Sequence, residues 1–175
     1  MSRLLVTMLL SLIIGLSPFW PIGPNPSPGD PFIIVNKLTN RLTFINENQM
    51  IMDVPVATGK SNHLTPEGLF IVVVKAKEPY YRKLNIPGGD PRNPLGSRWI
   101  GFNADGTDGR TYGVHGTNQP ASIGRYITAG CIRMNKVDLE KLYDQVPLGT
   151  KILIVRSAQT AKELAIANGA LSKRD

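Results

Sequence analysis

The sequence predicts a mostly β domain of α+β type, a sandwich of short strands with one main helix late in the chain. Three observations predict it. From residue 32 to residue 115, short runs rich in Ile, Val and Phe are separated by Asn, Gly and Pro turn residues. A single stretch, residues 136–146, carries apolar side chains at helical spacing. The chain has 175 residues, 42% of them hydrophobic, which suffices for one core with short appendages.

The elements follow in order. Arg3 precedes a nearly all-apolar run over residues 4–16, the charged and apolar regions of a secretory signal. No small-residue cleavage site of the Ala-x-Ala kind follows. Phe19-Trp20, an aromatic pair suited to a membrane interface, closes the segment. Residues 1–20 are therefore expected to be a signal peptide or an N-terminal membrane anchor. Pro21, Pro24, Pro26, Pro28 and Pro31 make residues 21–31 an extended spacer, because proline removes backbone donors and fixes φ.

The domain proper is expected over residues 32–156. Residues 32–36 and 41–46 read as a hairpin about Asn40, residues 49–57 as a third strand and residues 68–75 as a fourth. His63 falls in the loop between the last two. Residues 79–97 are long and irregular, with Tyr80, Tyr81 and Gly88-Gly89, and read as either a lid or a surface excursion. Residues 98–102 and 112–115 form strands about a turn. That turn faintly resembles a calcium loop but lacks the later Glu and the flanking helices. Asn135 is placed to cap the helix, with Asp138 in its first turn. Val137, Leu139, Leu142, Tyr143 and Val146 would form its apolar face. Residues 147–150 end it, and residues 151–155 are a last strand. Residues 157–175 read as a tail with a short exposed or frayed helix.

The chemistry concentrates at one cysteine, the only one in the chain. Cys131 lies sixteen positions after His115. A thiolate attacks carbonyls, and a nearby imidazole can take its proton. A lone Cys ordinarily fills core volume, and a lone His is ordinarily structural. Here each has a glycine beside it. Gly130 before the thiol permits a tight turn and close substrate approach, and Gly116 opens access at the base. Backbone N–H groups of Ala129, Gly130 and Cys131 could converge on one oxyanion. With no Asp or Asn partner evident from spacing, a carbonyl of Gly116 or Tyr112 is the candidate orienter of His115. His63 ranks below His115 as a base, because its neighbours are turn residues.

His115-Gly116-Thr117-Asn118, Ser122-Ile123-Gly124 and Gly130-Cys131-Ile132-Arg133-Met134 together resemble the YkuD-type L,D-transpeptidase catalytic domain of bacterial cell-wall enzymes. Phe32-Ile33-Ile34-Val35-Asn36, Val56-Ala57-Thr58-Gly59 and Thr65-Pro66-Glu67-Gly68 extend the resemblance over nearly the whole soluble part. It implies the same β-rich fold, Cys131 as nucleophile, His115 as base and a peptidoglycan stem peptide as acyl donor. The released group would be D-Ala, and the acceptor an amine. Arg133, Gly116 and Tyr112 would help bind substrate, Arg133 by pairing with a carboxylate. One departure stands out. The family has a histidine before Gly-Cys, and this chain has Ala129. Left open beside this reading are an L,D-carboxypeptidase, another cysteine peptidase or amidase of the wall, and a non-catalytic wall-binding homologue.

The formal net charge is +7, from scattered Lys and Arg. That fits a soluble surface drawn to an acidic wall. No helix-turn-helix, zinc-ligand set or aromatic-basic repeat marks a nucleic-acid binder. No metal or cofactor motif is present. A lone thiol lacks the resolving partner of a redox protein. An extracytoplasmic place, at the wall or the outer face of the membrane, follows from the leader.

Overall fold

The computed structural model describes residues 26–173. Ten strands and two helices follow one another. They are β1 (Phe32–Asn36), β2 (Arg41–Asn46), β3 (Gln49–Pro55), β4 (Thr58–Gly59), β5 (Gly68–Lys77), β6 (Arg98–Phe102), β7 (Tyr112–His115), β8 (Tyr126–Thr128), β9 (Ile132–Arg133), α1 (Lys136–Gln145), β10 (Lys151–Val155) and α2 (Ala161–Ala167). Eight strands make one sheet in the order β3-β2-β1-β10-β5-β6-β7-β9, and β4 pairs with β8 apart from it.

The sheet curls at β5. Its first residues pair with β10, and Val72 to Lys77 pair with β6. The register shifts between Val72 and Val74. A bulge of this kind bends a strand and lets it serve two layers. The two halves therefore enclose one interior. Ile33 and Val35, Leu42 and Phe44, Ile152 and Ile154 meet Ile100, Phe102, Val114 and Ile132 there, with Leu139 and Leu142 of α1. Full burial of such side chains is worth about 1.5–3 kcal/mol each.

Strand β1 is buried on both faces because its outer residues are also covered. Phe32 and Ile34 pack with Ile45, Leu153, Leu164, Ala165, Ala170 and Leu171. The chain after residue 157 is thus not an exposed tail. Helix α2 closes its N-terminus with a capping box between Thr160 and Glu163 and lays Leu164 and Ala165 on the sheet.

Three further differences from the sequence reading have local causes. The third strand stops at Pro55, and Ala57 instead makes a lone bridge to Arg133. The fourth continues two residues further, to Lys77. Val137 is 61% exposed, one position off the buried stripe of α1. The cap is as expected: Asn135 accepts from the Asp138 N–H at 3.0 Å.

Residues 26–31 do not stand off as a spacer. Pro26 is buried, Ser27 and Asp30 close a turn on each other, and Glu47 N–H donates to the Gly29 carbonyl at 3.1 Å. The leader and the first half of the spacer lie outside the described residues. Among the described residues no helix is long and apolar enough to cross a membrane.

Candidate active site

Strands β7 and β9 run parallel, with Val114 beside Ile132 and His115 beside Arg133. This pairing draws the two distant chain segments together. Continued one residue back, the register sets Cys131 against Gly113. His115, Arg133 and Cys131 then share one face, since side chains two apart point the same way.

His115 is buried, and its ring stacks on Trp99 with centroids 5.5 Å apart. Its Nδ1 lies 2.7 Å from the Gly116 carbonyl. A carbonyl only accepts, so Nδ1 carries the proton and Nε2 keeps its lone pair. The expected orienter is therefore Gly116. Burial, with the Arg133 charge adding to it, lowers the His115 pKa to about 4.

Cys131 is partly exposed and borders a cleft of about 540 Å³. Its Sγ donates to the Thr111 carbonyl at 3.3 Å rather than to His115. Desolvation raises the thiol pKa, opposed by the Gly113 N–H and by Arg133. The resting pair is accordingly a neutral thiol and a neutral imidazole. Pro79, Tyr80, Tyr81, Arg82 and Lys83 line the cleft together with Trp99 and Arg110.

The 79–97 segment is knitted rather than loose. Asn93, 2% exposed, donates to the carbonyls of Pro79 at 2.8 Å and Pro87 at 3.1 Å. Glu78 N–H donates to Ser97 O at 2.9 Å, which closes the base of the loop.

The other sequence candidates fall less centrally. Gly116 is buried and both its backbone groups are committed internally, the N–H to the Leu95 carbonyl at 2.7 Å. A Cβ there would lie 2.9 Å from Gly96 Cα. Gly116 thus serves the fold and the imidazole and offers no surface to a substrate. Tyr112 stacks on Phe102 and leans on Asp105, which raises its phenol pKa. It does not line the cleft. Arg133 reaches Gln119 Oε1 at 3.4 Å and touches the site through its charge. The Gly130 N–H is already donated to Thr128 Oγ1 at 3.1 Å, so it is not free for an oxyanion. Ala129 is exposed, and its N–H has no partner among the described residues. His63 is exposed, its Nε2 3.5 Å from Ser61 Oγ.

Sequence reasoning missed Thr65 and Lys37. Lys37, in the hairpin connection between β1 and β2, is 3% exposed and donates to the carbonyls of Asn62 and Thr65 and to Glu67 Oε1. Only the matching Thr65-Pro66-Glu67-Gly68 block pointed there. Among the described residues no group of three or more His, Cys, Asp or Glu could hold a metal ion.

Comparison with known proteins gives the family and the fold. Residues 30–154 match the model of the YkuD family, the L,D-transpeptidase catalytic domain. YqjB of Bacillus subtilis, classed with the L,D-transpeptidases, is 52% identical over 95% of this chain and 94% of its own length. YkuD of the same organism, classed likewise, is 34% identical over 83% of this chain and 78% of its own length. Among solved structures, an L,D-transpeptidase from Mycobacterium smegmatis superposes with TM-score 0.56 at 21% identity, covering 71% of this chain and 58% of that one. The catalytic domain of an Enterococcus faecium L,D-transpeptidase acylated by ertapenem gives 0.55 at 21% identity, covering 72% of this chain and 97% of that one. These two establish the shared fold. On the family match and the sequence identity, the chain belongs to the YkuD L,D-transpeptidase catalytic domain family.

Proposed function

We propose that the protein is an acyltransferase that cuts and rejoins peptidoglycan stem peptides through a thioester on Cys131. The observation that carries this reading is the pairing of β7 with β9. It puts the cleft-lining Cys131 and His115, whose Nδ1–H is held by a carbonyl, on one face of neighbouring strands, two positions apart in register, which supports their acting together.

The chemistry follows from that arrangement. A stem peptide enters the cleft, and its scissile carbonyl carbon meets Sγ. The thiol leaves the Thr111 carbonyl, its proton passes to His115 Nε2, and sulfur bonds to carbon. Arg133 favours the anionic sulfur at that moment. The Cys131 N–H, joined by that of Ala129, receives the oxyanion. One such donor is worth about 3 kcal/mol of barrier where it has been measured. Collapse breaks the C–N bond, and His115 returns the proton to the departing D-Ala amine. An acceptor amine then releases the acyl group and frees the thiol. Water in its place gives hydrolysis, the carboxypeptidase outcome. Ala129 removes a side chain that this sequence of steps does not use.

Basic charge, the apolar run expected to be a leader at residues 1–20 and a wall substrate support a reading in which the protein works outside the cytoplasmic membrane, at the wall. The leader would tether the domain at the membrane or export it.

Intact-mass spectrometry after incubation with a disaccharide-tetrapeptide tests the reading. A covalent adduct on Cys131, lost in Cys131→Ser and slowed at least a hundredfold in His115→Ala, is the expected result. Turnover by Cys131→Ser, or undiminished turnover by His115→Ala, would defeat it. A hydrolysed product with no joined product, at saturating acceptor amine, would favour the carboxypeptidase.

A further inference from the structure

Gly130 and the cleft-lining Cys131 carry four backbone polar groups, and three of them are occupied. The Gly130 N–H donates to Thr128 Oγ1 at 3.1 Å, and the Cys131 carbonyl accepts from the same hydroxyl at 2.6 Å. The Gly130 carbonyl accepts from Thr65 Oγ1 at 2.9 Å. The Cys131 N–H alone has no partner among the described residues. It belongs to the same planar trans peptide as the Gly130 carbonyl, so the two point in opposite directions. Holding that carbonyl therefore aims that N–H.

The hold is needed because Gly130 sits at φ +139, where glycine rotates freely and other residues do not go. It is also firm. Thr65 is fully buried, and its Oγ1 accepts from the Gly59 N–H at 2.9 Å, which commits its own proton to Gly130. Its carbonyl is gripped by Lys37 Nζ at 2.7 Å, and Lys37 is in turn paired with Glu67 at 2.9 Å.

We propose that Thr65 is a positioning residue for acyl transfer, its hydroxyl locking the Gly130–Cys131 peptide so that the Cys131 N–H faces the developing oxyanion. Lys37 holds Thr65 in place for this. The proposal rests on the acyl-transfer reading above and names a residue that never touches substrate.

Two reagents at one sulfur test it. With a carbapenem, sulfur bonds to the lactam carbonyl carbon, the ring C–N bond breaks and the nitrogen takes a proton; an oxyanion forms on the way. With iodoacetamide, sulfur bonds to carbon, iodide leaves and the thiol proton goes to solvent; no oxyanion forms. Thr65→Val keeps the shape and removes the donor. Acylation is expected to slow by about ten- to a hundredfold while alkylation stays within about twofold of wild type. Thr65→Ser restores acylation. Equal slowing of both reactions would mean a merely structural role and would overturn the proposal, as would unchanged acylation or failure of Thr65→Ser to rescue. Should Thr65→Val not fold, Lys37→Met is read the same way, with a selective loss of acylation of at least about threefold expected and equal rates overturning the proposal. A wild-type protein that is alkylated but never acylated would instead defeat the acyl-transfer reading itself.

Discussion

At the scale of single residues, burial sets the protonation of the candidate pair. The Cys131 thiol is raised and the His115 imidazole is lowered to about 4, both chiefly by desolvation. Neutral pH thus finds no resting ion pair. Alkylation of Cys131 by iodoacetamide should keep accelerating with pH above the ordinary thiol range. A plateau below pH 7 would mean that a stable thiolate-imidazolium pair exists. The histidine also bears on stability. Its folded pKa lies below its unfolded value of about 6.5, so the unfolded chain binds more protons between the two. Stability from keeping the ring neutral is complete above pH 6.5 and is lost as pH falls towards 4. The loss reaches about 3 kcal/mol for a ring this buried. Urea midpoints at pH 7 and pH 4.5 should therefore diverge more in wild type than in His115→Gln.

At the scale of elements, the last helix matters more than its composition suggests. Ala- and Leu-rich sequence near a C-terminus reads as a frayed tail, yet Leu164 is 5% exposed and packs on Phe32 and Ile34. Leu164→Ala should cost about 2–4 kcal/mol by denaturant unfolding. A cost near zero would mean that α2 does not dock. The signal for it was in the sequence, as Thr160 followed by Glu163 at capping-box spacing. The 79–97 segment makes the opposite point. It was legible as long and irregular. Its order depends on Asn93, one side chain joining the carbonyls of Pro79 and Pro87, which no periodicity could reveal.

At the scale of the whole molecule, charge and cleft come together. Arg82 and Lys83 line the cleft beside Tyr80 and Tyr81, and neither has an ion-pair partner among the described residues. An acyl donor bearing free carboxylates suits that wall. Replacing donor carboxylates by carboxamides should raise KM several-fold in wild type and barely change it in Arg82→Ala/Lys83→Ala. A rim charge of this kind is worth about 0.2–1 kcal/mol each, so the effect is modest and salt-sensitive. Indifference of the wild type to carboxylate or carboxamide would remove these two from recognition.

By itself the sequence determined the β-rich class, the longer strands and the capped helix α1, and it singled out the thiol and imidazole proposed for acyl chemistry. Each of these is written in local pattern: alternation, caps, and a thiol or imidazole beside glycine. Tertiary structure alone decided the rest. Strands β4, β8 and β9 are two or three residues long and have no period to read; they exist because distant partners complete their hydrogen bonds. Which carbonyl holds His115, which N–H beside Cys131 remains free, and why Lys37 is buried are likewise matters of non-local hydrogen bonding. Backbone and buried polar groups must find partners wherever the fold places them, and the identity of those partners is not carried by neighbours along the chain.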